Sequence, residues 1–509
     1  MKNVLSLLIV GILVISGFGA VAVSDIDDKY LVVRDVFSFS EPVFDEGIDF
    51  LTVDFEESTS LLLETGKPVI PVFTKVYTFP AGTVVSGCNV DLDFEEYVLD
   101  KKIQPSPQPV PVSDLYAYEV LSQKIVPDEV IYSSSDFYPS DAYSVDFGVG
   151  LDDGEHVIFV NVRCFSQYSP LDDVLNVPTG IDIEVEYTLP EVPLFTADEY
   201  DMLIITDESF VSSLQPLVDH KNGIGVETKI ETVQEIYSAY SGRDEVEDIK
   251  LRVKDAIEEL GINYVLLAGG RQGQSLNWYV PSRRTHNDDG WETGYDSDLY
   301  FADVYKLDGE EIVFEDWDSN GNGVFAEDGN FLNRDVMDFY PDVTIGRIPF
   351  RYAFEIDIVI NKIIDYENNA DDSWFKTGVM IAGDTFPAND QYYEGEIETG
   401  YTADMLEDIG FNIQKLWTST ETLTGSSDVI NRINNGAGFI HFAGHGNPSS
   451  WSTHPPSDHE TWVNGFRLQY MSKLTNNNQL PIILVGGCHN AQFNVTMMNI
   501  LEGIKKYGF

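Results

Sequence analysis

Residues 201–232, DMLIITDESFVSSLQPLVDHKNGIGVETKIET, set the grammar of most of the chain. Met202 to Ile205 form a short apolar run bounded by aspartates, the pattern of a strand buried on both faces. Val211 to Gly225 then spaces its apolar residues for a helix that stops at glycine, and VETKIET reads as a second strand. Strand, helix, strand in that order specifies parallel pairing, because only a crossover lets consecutive strands run the same way. The pattern continues with VEDIKLRVKDAIEELGIN (246–263) as a helix and YVLLAGG (264–270) as a buried strand. A second cycle begins near Lys376: KTGVMIAGD, YEGEIETGYTADMLEDIG, FNIQKLW, SSDVINRINNGAG, FIHFAGHG and PIILVGGC alternate strand and helix. The helix RYAFEIDIVINKIIDYENNA joins the two cycles. In PIILVGGC the apolar run reads as one more strand buried on both faces.

Upstream the pattern is different. From about Val23 to Pro190, stretches such as PVIPVFTKVYTFPAGTVVSGCNVDLDF, HVIFVNVRCFSQYSP and GIDIEVEYTLP alternate apolar with polar residues and are broken by Pro, Gly and Asn. That is the signature of an antiparallel sandwich or meander. The predicted fold class is therefore α/β, with an all-β N-terminal domain ahead of two consecutive α/β units with mainly parallel sheets. Cys488 lies 21 residues before Phe509, so the second sheet gains at most a helix after that strand, and a missing C-terminal part is expected.

Met1 to Ala22 carries one lysine, an apolar run from Val4 to Phe18, and the small-x-small sequence Ala20-Val21-Ala22, as in a secretory signal peptide. A membrane anchor is the competing reading, but the run is short for a bilayer and acidic SDIDD follows at once. With 85 acidic against 30 basic residues the formal charge is −55. This disfavours nucleic acid and anionic membranes as partners and suits cationic ligands, bound calcium or a salty milieu. The three cysteines, Cys88, Cys164 and Cys488, divide naturally into a Cys88–Cys164 pair and a free Cys488.

Two strand ends carry the chemistry. GFIHFAGHGNPSSW places His445 between Gly444 and Gly446, and LPIILVGGCHNAQF places Cys488 after two glycines. Functional groups in parallel sheets gather at the carboxyl ends of strands. An imidazole beside a thiol there can hold the thiolate and later protonate a leaving amine, and the backbone N–H groups of Gly446 and Cys488 can face an oxyanion. A cysteine after a buried strand is by itself more often packing; the pairing with His445 and the glycines at both turns favours catalysis. His441 alternates inward and reads as a core histidine, and His489 should point elsewhere, a metal role for it being remote.

HFAGHG followed 43 residues later by ILVGGCHNAQF resembles the gingipain-like cysteine peptidases, relatives of the caspases and legumains. ETGKPVIPVFTKVYTFPAG, with Gly66, Pro68 and Pro71, is similar to their N-terminal propeptide, and SDLYFADV and DVTIGRIPF to their first α/β subdomain. The resemblance implies a caspase-like fold, Cys488 as nucleophile and His445 as catalytic histidine. Asp384, at the end of VMIAGD, matches the place of an acidic residue that orients the histidine, with a helix cap or calcium ligand as equal alternatives. The implied organisation is a signal peptide over 1–22, an all-β propeptide over 23–195, and α/β subdomains over 196–372 and 373–509. The resemblance implies a secreted or surface-associated endopeptidase zymogen acting on protein or peptide substrates.

DWDSNGNGVFAE is the second chemical motif. Asp316, Asp318, Asn320 and Asn322, with Gly321 at the turn and Glu327 at the twelfth position, match an EF-hand-type loop, so structural Ca²⁺ is expected; a solvated acidic turn is the alternative. No entering helix precedes it. Gingipains known to cut after Arg or Lys offer a guess at specificity, but no Lys or Arg occurs between Arg163 and Lys221, where the propeptide boundary falls. The P1 residue therefore stays open. Two other functions stay open as well: a non-enzymatic calcium-binding surface protein, and a thioester-forming transpeptidase. NVT at Asn494–Thr496 is a formal glycosylation acceptor, read as unused so near the thiol.

Overall fold

The computed structural model describes residues 30–47, 49–107, 126–287, 294–328, 334–371, 373–387 and 393–496. The leader-like segment 1–22 lies outside them. No helix among the described residues is long and apolar enough to cross a membrane.

Up to Thr188 the chain forms antiparallel strands. Ser60–Leu62, Ile70–Pro80, Glu155–Phe165 and Tyr143–Asp152 pair into one sheet, and Leu31–Ser38, Val174–Thr188, Val84–Val98 and Gln167–Ser169 into another. Because side chains alternate along a strand, every second residue of each sheet points inward. Val160, Val162 and Cys164 from the first sheet share one core with Leu175, Val177, Ile181, Ile183 and Val185 from the second. The expected Cys88–Cys164 disulfide is not formed, and both thiols are free. Cys88 is registered against Val185 in one sheet, while Cys164 is registered against Phe73 and Tyr143 in the other. Both act as small apolar side chains, and burial pushes the Cys164 thiol up to about 12.

The first parallel sheet contains β1 (Met202–Thr206), β2 (Thr228–Thr232), β3 (Tyr264–Ala268) and β4 (Thr344–Ile348), in the order β2-β1-β3-β4. Helices α1 (Val211–Gly223), α2 (Glu245–Leu260) and α3 (Ala353–Asn369) flank it. On α2, Asp244 caps the first turn by accepting from Glu247 N, and Gly261 ends the helix at φ 76°. A Cβ there would lie 2.0 Å from the Ala197 carbonyl oxygen, so only glycine fits. The same helix buries a charge. Lys250 is fully buried with its ammonium 4.2 Å from the Tyr300 ring, close to the charges of Asp303, Glu315 and Asp342. Burial lowers Lys250 to about 8 and raises Asp303 and Asp342 well above the usual carboxylate range.

The second parallel sheet repeats the layout. β5 (Thr377–Ala382), β6 (Asn412–Trp417), β7 (Phe439–Ala443) and β8 (Ile482–Gly486) run β6-β5-β7-β8, with helices α4 (Glu394–Asp408) and α5 (Ser426–Asn434). Val379, Met380 and Ile381 in β5 are fully buried, each contributing about 1.5–3 kcal/mol of transfer free energy. One expectation fails in this sheet: β8 is not buried on both faces. Among the described residues it is the edge strand, with Ile482 56% and Val485 40% exposed. An apolar run has the same composition whether or not anything covers it, so the sequence could not distinguish the two.

Candidate active site

β7 and β8 are hydrogen-bonded neighbours in parallel register, Phe439 opposite Ile482 through Ala443 opposite Gly486. Their carboxyl ends therefore leave the sheet side by side, and Gly444 N donates to Gly486 O at 3.0 Å. His445 follows one end and Cys488 the other. Beyond β7 the chain folds into a small antiparallel sheet, His445–Asn447, Ser450–Thr453 and Val463–Arg467, which packs Trp451 under the two ends.

The glycines are there because the loops touch. A Cβ on Gly446 would lie 1.9 Å from Asn490 Oδ1 and 2.8 Å from Cys488 O. On Gly487 it would lie 2.3 Å from Asn490 Oδ1 and 3.2 Å from Gly446 Cα. Asn490 is the tie between the loops, its Nδ2 donating to Asn447 O at 2.7 Å and Ser450 O at 2.9 Å. Sequence reasoning passed over Asn490; its signal was a polar amide two residues after the thiol in GGCHN.

His445 is only 2% exposed, while Cys488 is half-buried. The imidazole Nε2 lies 2.7 Å from Thr385 O. A carbonyl can only accept, so Nε2 is the protonated nitrogen that donates to it. Phe386, Trp462 and His454 ring the imidazole, with centroids at 5.4, 5.3 and 5.8 Å. His454 donates from Nδ1 to Thr461 O at 2.8 Å, and burial pushes it down to about 4, so it adds no positive charge beside His445 near neutral pH.

Asp384 sits where β5 ends and is fully buried. Its Oδ2 accepts from Ser457 N at 2.7 Å, and its backbone N donates to His454 O at 3.1 Å. The carbonyl that meets His445 Nε2 belongs to the next residue, Thr385. A main-chain acceptor leaves no trace in residue type, so no sequence pattern could have pointed to Thr385. His441 is buried, with Nδ1 3.0 Å from Thr402 Oγ1 and Nε2 3.5 Å from Glu398. His489, at φ 59°, lines a cleft of about 390 Å³ with Arg284, Tyr295, Asp296, Gln492 and Phe493.

The loop 316–327 stands apart from this site. Asp316 and Asp318 face the Arg243 guanidinium at 3.2 and 2.7 Å. Asp318 also accepts from the backbone N–H groups of Asn322 and Gly323, at 2.9 and 3.0 Å. The side-chain amides of Asn320 and Asn322 both turn onto Glu327 Oε2. Gly321 and Gly323 take positive φ at the turn. Among the described residues no group of three or more His, Cys, Asp and Glu side chains is arranged to hold a metal ion.

Comparison with known proteins bears on the whole region. Gingipain R1 of Porphyromonas gingivalis is 22% identical over 412 residues, covering 74% of this chain and 35% of that protein. Gingipain R2 of the same species, strain ATCC 33277, is 21% identical over 510 residues, covering 91% of this chain and 58% of that protein. The chain thus spans between about a third and three fifths of the length of these curated relatives. An uncharacterized protein of Archaeoglobus fulgidus is 22% identical over 325 residues, 58% of this chain and 68% of that one. Among solved structures, the complex of Porphyromonas gingivalis RgpB pro- and mature domains aligns with a TM-score of 0.41 at 22% identity, covering 58% of this chain and 57% of that chain. The model for Peptidase family C25 matches residues 195–502, more than half of the 509, and the chain therefore belongs to Peptidase family C25.

Proposed function

We propose that the protein is a secreted cysteine endopeptidase, made as a zymogen, in which Cys488 and His445 form the catalytic dyad. The observation that carries this reading is that both residues follow the ends of adjacent parallel strands, with His445 Nε2 held by the Thr385 carbonyl, so that Nδ1 is the nitrogen assigned as base. Nδ1 takes the thiol proton, and Cys488 Sγ attacks the scissile carbonyl, forming a C–S bond. The tetrahedral oxyanion faces the N–H groups of Gly446 and Cys488. Its collapse breaks the C–N bond, and the leaving amine takes the proton from His445. Water, deprotonated by Nδ1, then hydrolyses the thioester and returns the thiol. Asp384 supports the loop that presents Thr385 and does not exchange protons. The sandwich before residue 195 serves as propeptide, and the N-terminal 22 residues as the export signal.

Calcium belongs to the same proposal as a structural ion. The residue types suit a hard cation, since Asp316, Asp318, Asn320, Asn322 and Glu327 all carry oxygen donors on one tight loop; binding would require the Asn320 and Asn322 oxygens to leave Asn322 N and Val324 N, and Arg243 to release Asp316 and Asp318. Arg243 already neutralises Asp316 and Asp318, so the ion would brace the loop and take no part in the chemistry.

The test is intact-mass spectrometry after brief iodoacetamide treatment at pH 6, with peptide hydrolysis measured on the same samples. Labelling of Cys488 that is fast in the wild type and slow in His445→Ala supports the dyad. A Cys488 that labels no faster than an ordinary thiol after propeptide removal, together with no hydrolysis, ends this reading.

A further inference from the structure

The segment just after Cys488 is held by residues of the first α/β unit. The Phe493 ring lies 5.1 Å from the Arg347 guanidinium and 5.9 Å from the Trp278 ring. Arg347 is itself fixed: Nε and Nη2 grip Asp298 at 2.6 and 2.7 Å, and the guanidinium also donates to the carbonyls of Gly269, Val280 and Pro281 at 2.6, 2.7 and 2.9 Å. Next along the chain, Asn494 Nδ2 donates to Asp296 Oδ2 at 2.5 Å. Arg351, between β4 and α3, sends Nη2 to Phe493 O at 3.0 Å and also to Val495 O. Its own backbone is anchored where Arg351 N meets Glu355 Oε2 at 2.7 Å.

On the upstream side the hold comes from the second unit: β8 pairs with β7, and Gly486 O accepts from Gly444 N at 3.0 Å and from Trp451 Nε1 at 3.2 Å. A thiol and an N–H that must face one substrate carbonyl need the loop fixed to a fraction of an ångström. The planar guanidinium suits this task, since one Arg can serve two main-chain acceptors where Lys presents a mobile point charge.

We infer that Arg351 is a positioning residue for the nucleophile, acting through the carbonyls of Phe493 and Val495 to fix the loop 487–495. The first α/β unit, which supplies neither Cys488 nor His445, thereby sets the geometry of the second. This inference rests on the proposed peptidase chemistry for its kinetic part and on the observed contacts for its structural part.

The experiment compares the protein after propeptide removal with Arg351→Ala, Arg351→Lys and, as a control, Lys254→Ala, which breaks a surface ion pair with Glu258 on α2. It reads kcat and KM on a peptide that the wild type cleaves, and amide hydrogen exchange across 487–495. Arg351→Ala is expected to lower kcat about 10- to 100-fold with KM within about twofold. The loop amides should exchange about tenfold faster or more. Arg351→Lys should recover part of kcat, and Lys254→Ala should match the wild type. A kcat within twofold of wild type and unchanged loop exchange in Arg351→Ala overturn the inference. Should Arg351→Ala fail to fold, Arg351→Lys and Asn494→Ala test the same strap, and unaltered exchange in both overturns it equally. If the wild type cleaves no peptide, the peptidase reading has failed, while hydrogen exchange still decides whether Arg351 fixes the loop.

Discussion

The two parallel sheets have the same strand order and different cargo. In each, the first strand lies between the second and third, and the fourth pairs with the third. β3 ends in Ala268-Gly269-Gly270 and β4 in Ile348-Pro349-Phe350, whereas β7 leads into Gly444-His445 and β8 into Gly487-Cys488. The first unit instead buries a lysine among carboxylates on its helical side and lends arginines to its neighbour. Topology placed strand ends in corresponding positions twice, and only the residues at those ends make one of them a candidate site.

Breaking the second sheet's cargo should have the largest effect. Cys488→Ala is expected to abolish peptide hydrolysis, a loss of about 10³-fold or more, with the circular dichroism spectrum unchanged. Residual turnover near wild type would move the nucleophile elsewhere. Gly446→Ala comes next, because its Cβ would displace Asn490 and press on the Cys488 carbonyl. A fall in kcat/KM of about 100-fold is expected, whereas full activity would remove Gly446 from the oxyanion site.

Effects on the first unit should appear as stability. Calcium at millimolar concentration is expected to raise the melting temperature by about 5 °C over a chelated sample, and Glu327→Gln should cancel the rise. No shift would mean that Arg243 alone serves as the counter-charge of Asp316 and Asp318. The smallest effect concerns Asp342, whose Oδ2 accepts from Val304 N and Tyr305 N at 2.7 and 2.8 Å. Burial raises its folded value above that of the unfolded chain, so its contribution is present at acid pH and is lost as pH rises through the folded value. Asp342→Asn, which stays neutral, should therefore gain melting temperature relative to wild type between pH 5 and pH 8. A difference that stays constant over that range would contradict the direction given.

Much of this was legible because the relevant signals are local. Each strand and helix read between Asp201 and Gly486 is present, since apolar periodicity and glycine stops report nearest-neighbour constraints. The candidate dyad was legible for the same reason, as a histidine and a cysteine each placed one turn past an apolar run. The failures were all long-range. Cys88 and Cys164 were read as partners from their number and compartment, but pairing depends on which sheets their strands join. β8 was read as buried from composition, but burial depends on what packs against it.

By itself the sequence determined the succession of elements, the glycine turns, the candidate nucleophile and base, and the oxygen-rich loop, because each follows from residue type and spacing. Only the tertiary structure decided that Thr385 O orients His445, that Asn490 joins the two loops and that Arg351 straps the segment after Cys488. Those choices are made by main-chain carbonyls and by contacts between residues far apart in the chain, and neither leaves a mark on residue type or spacing.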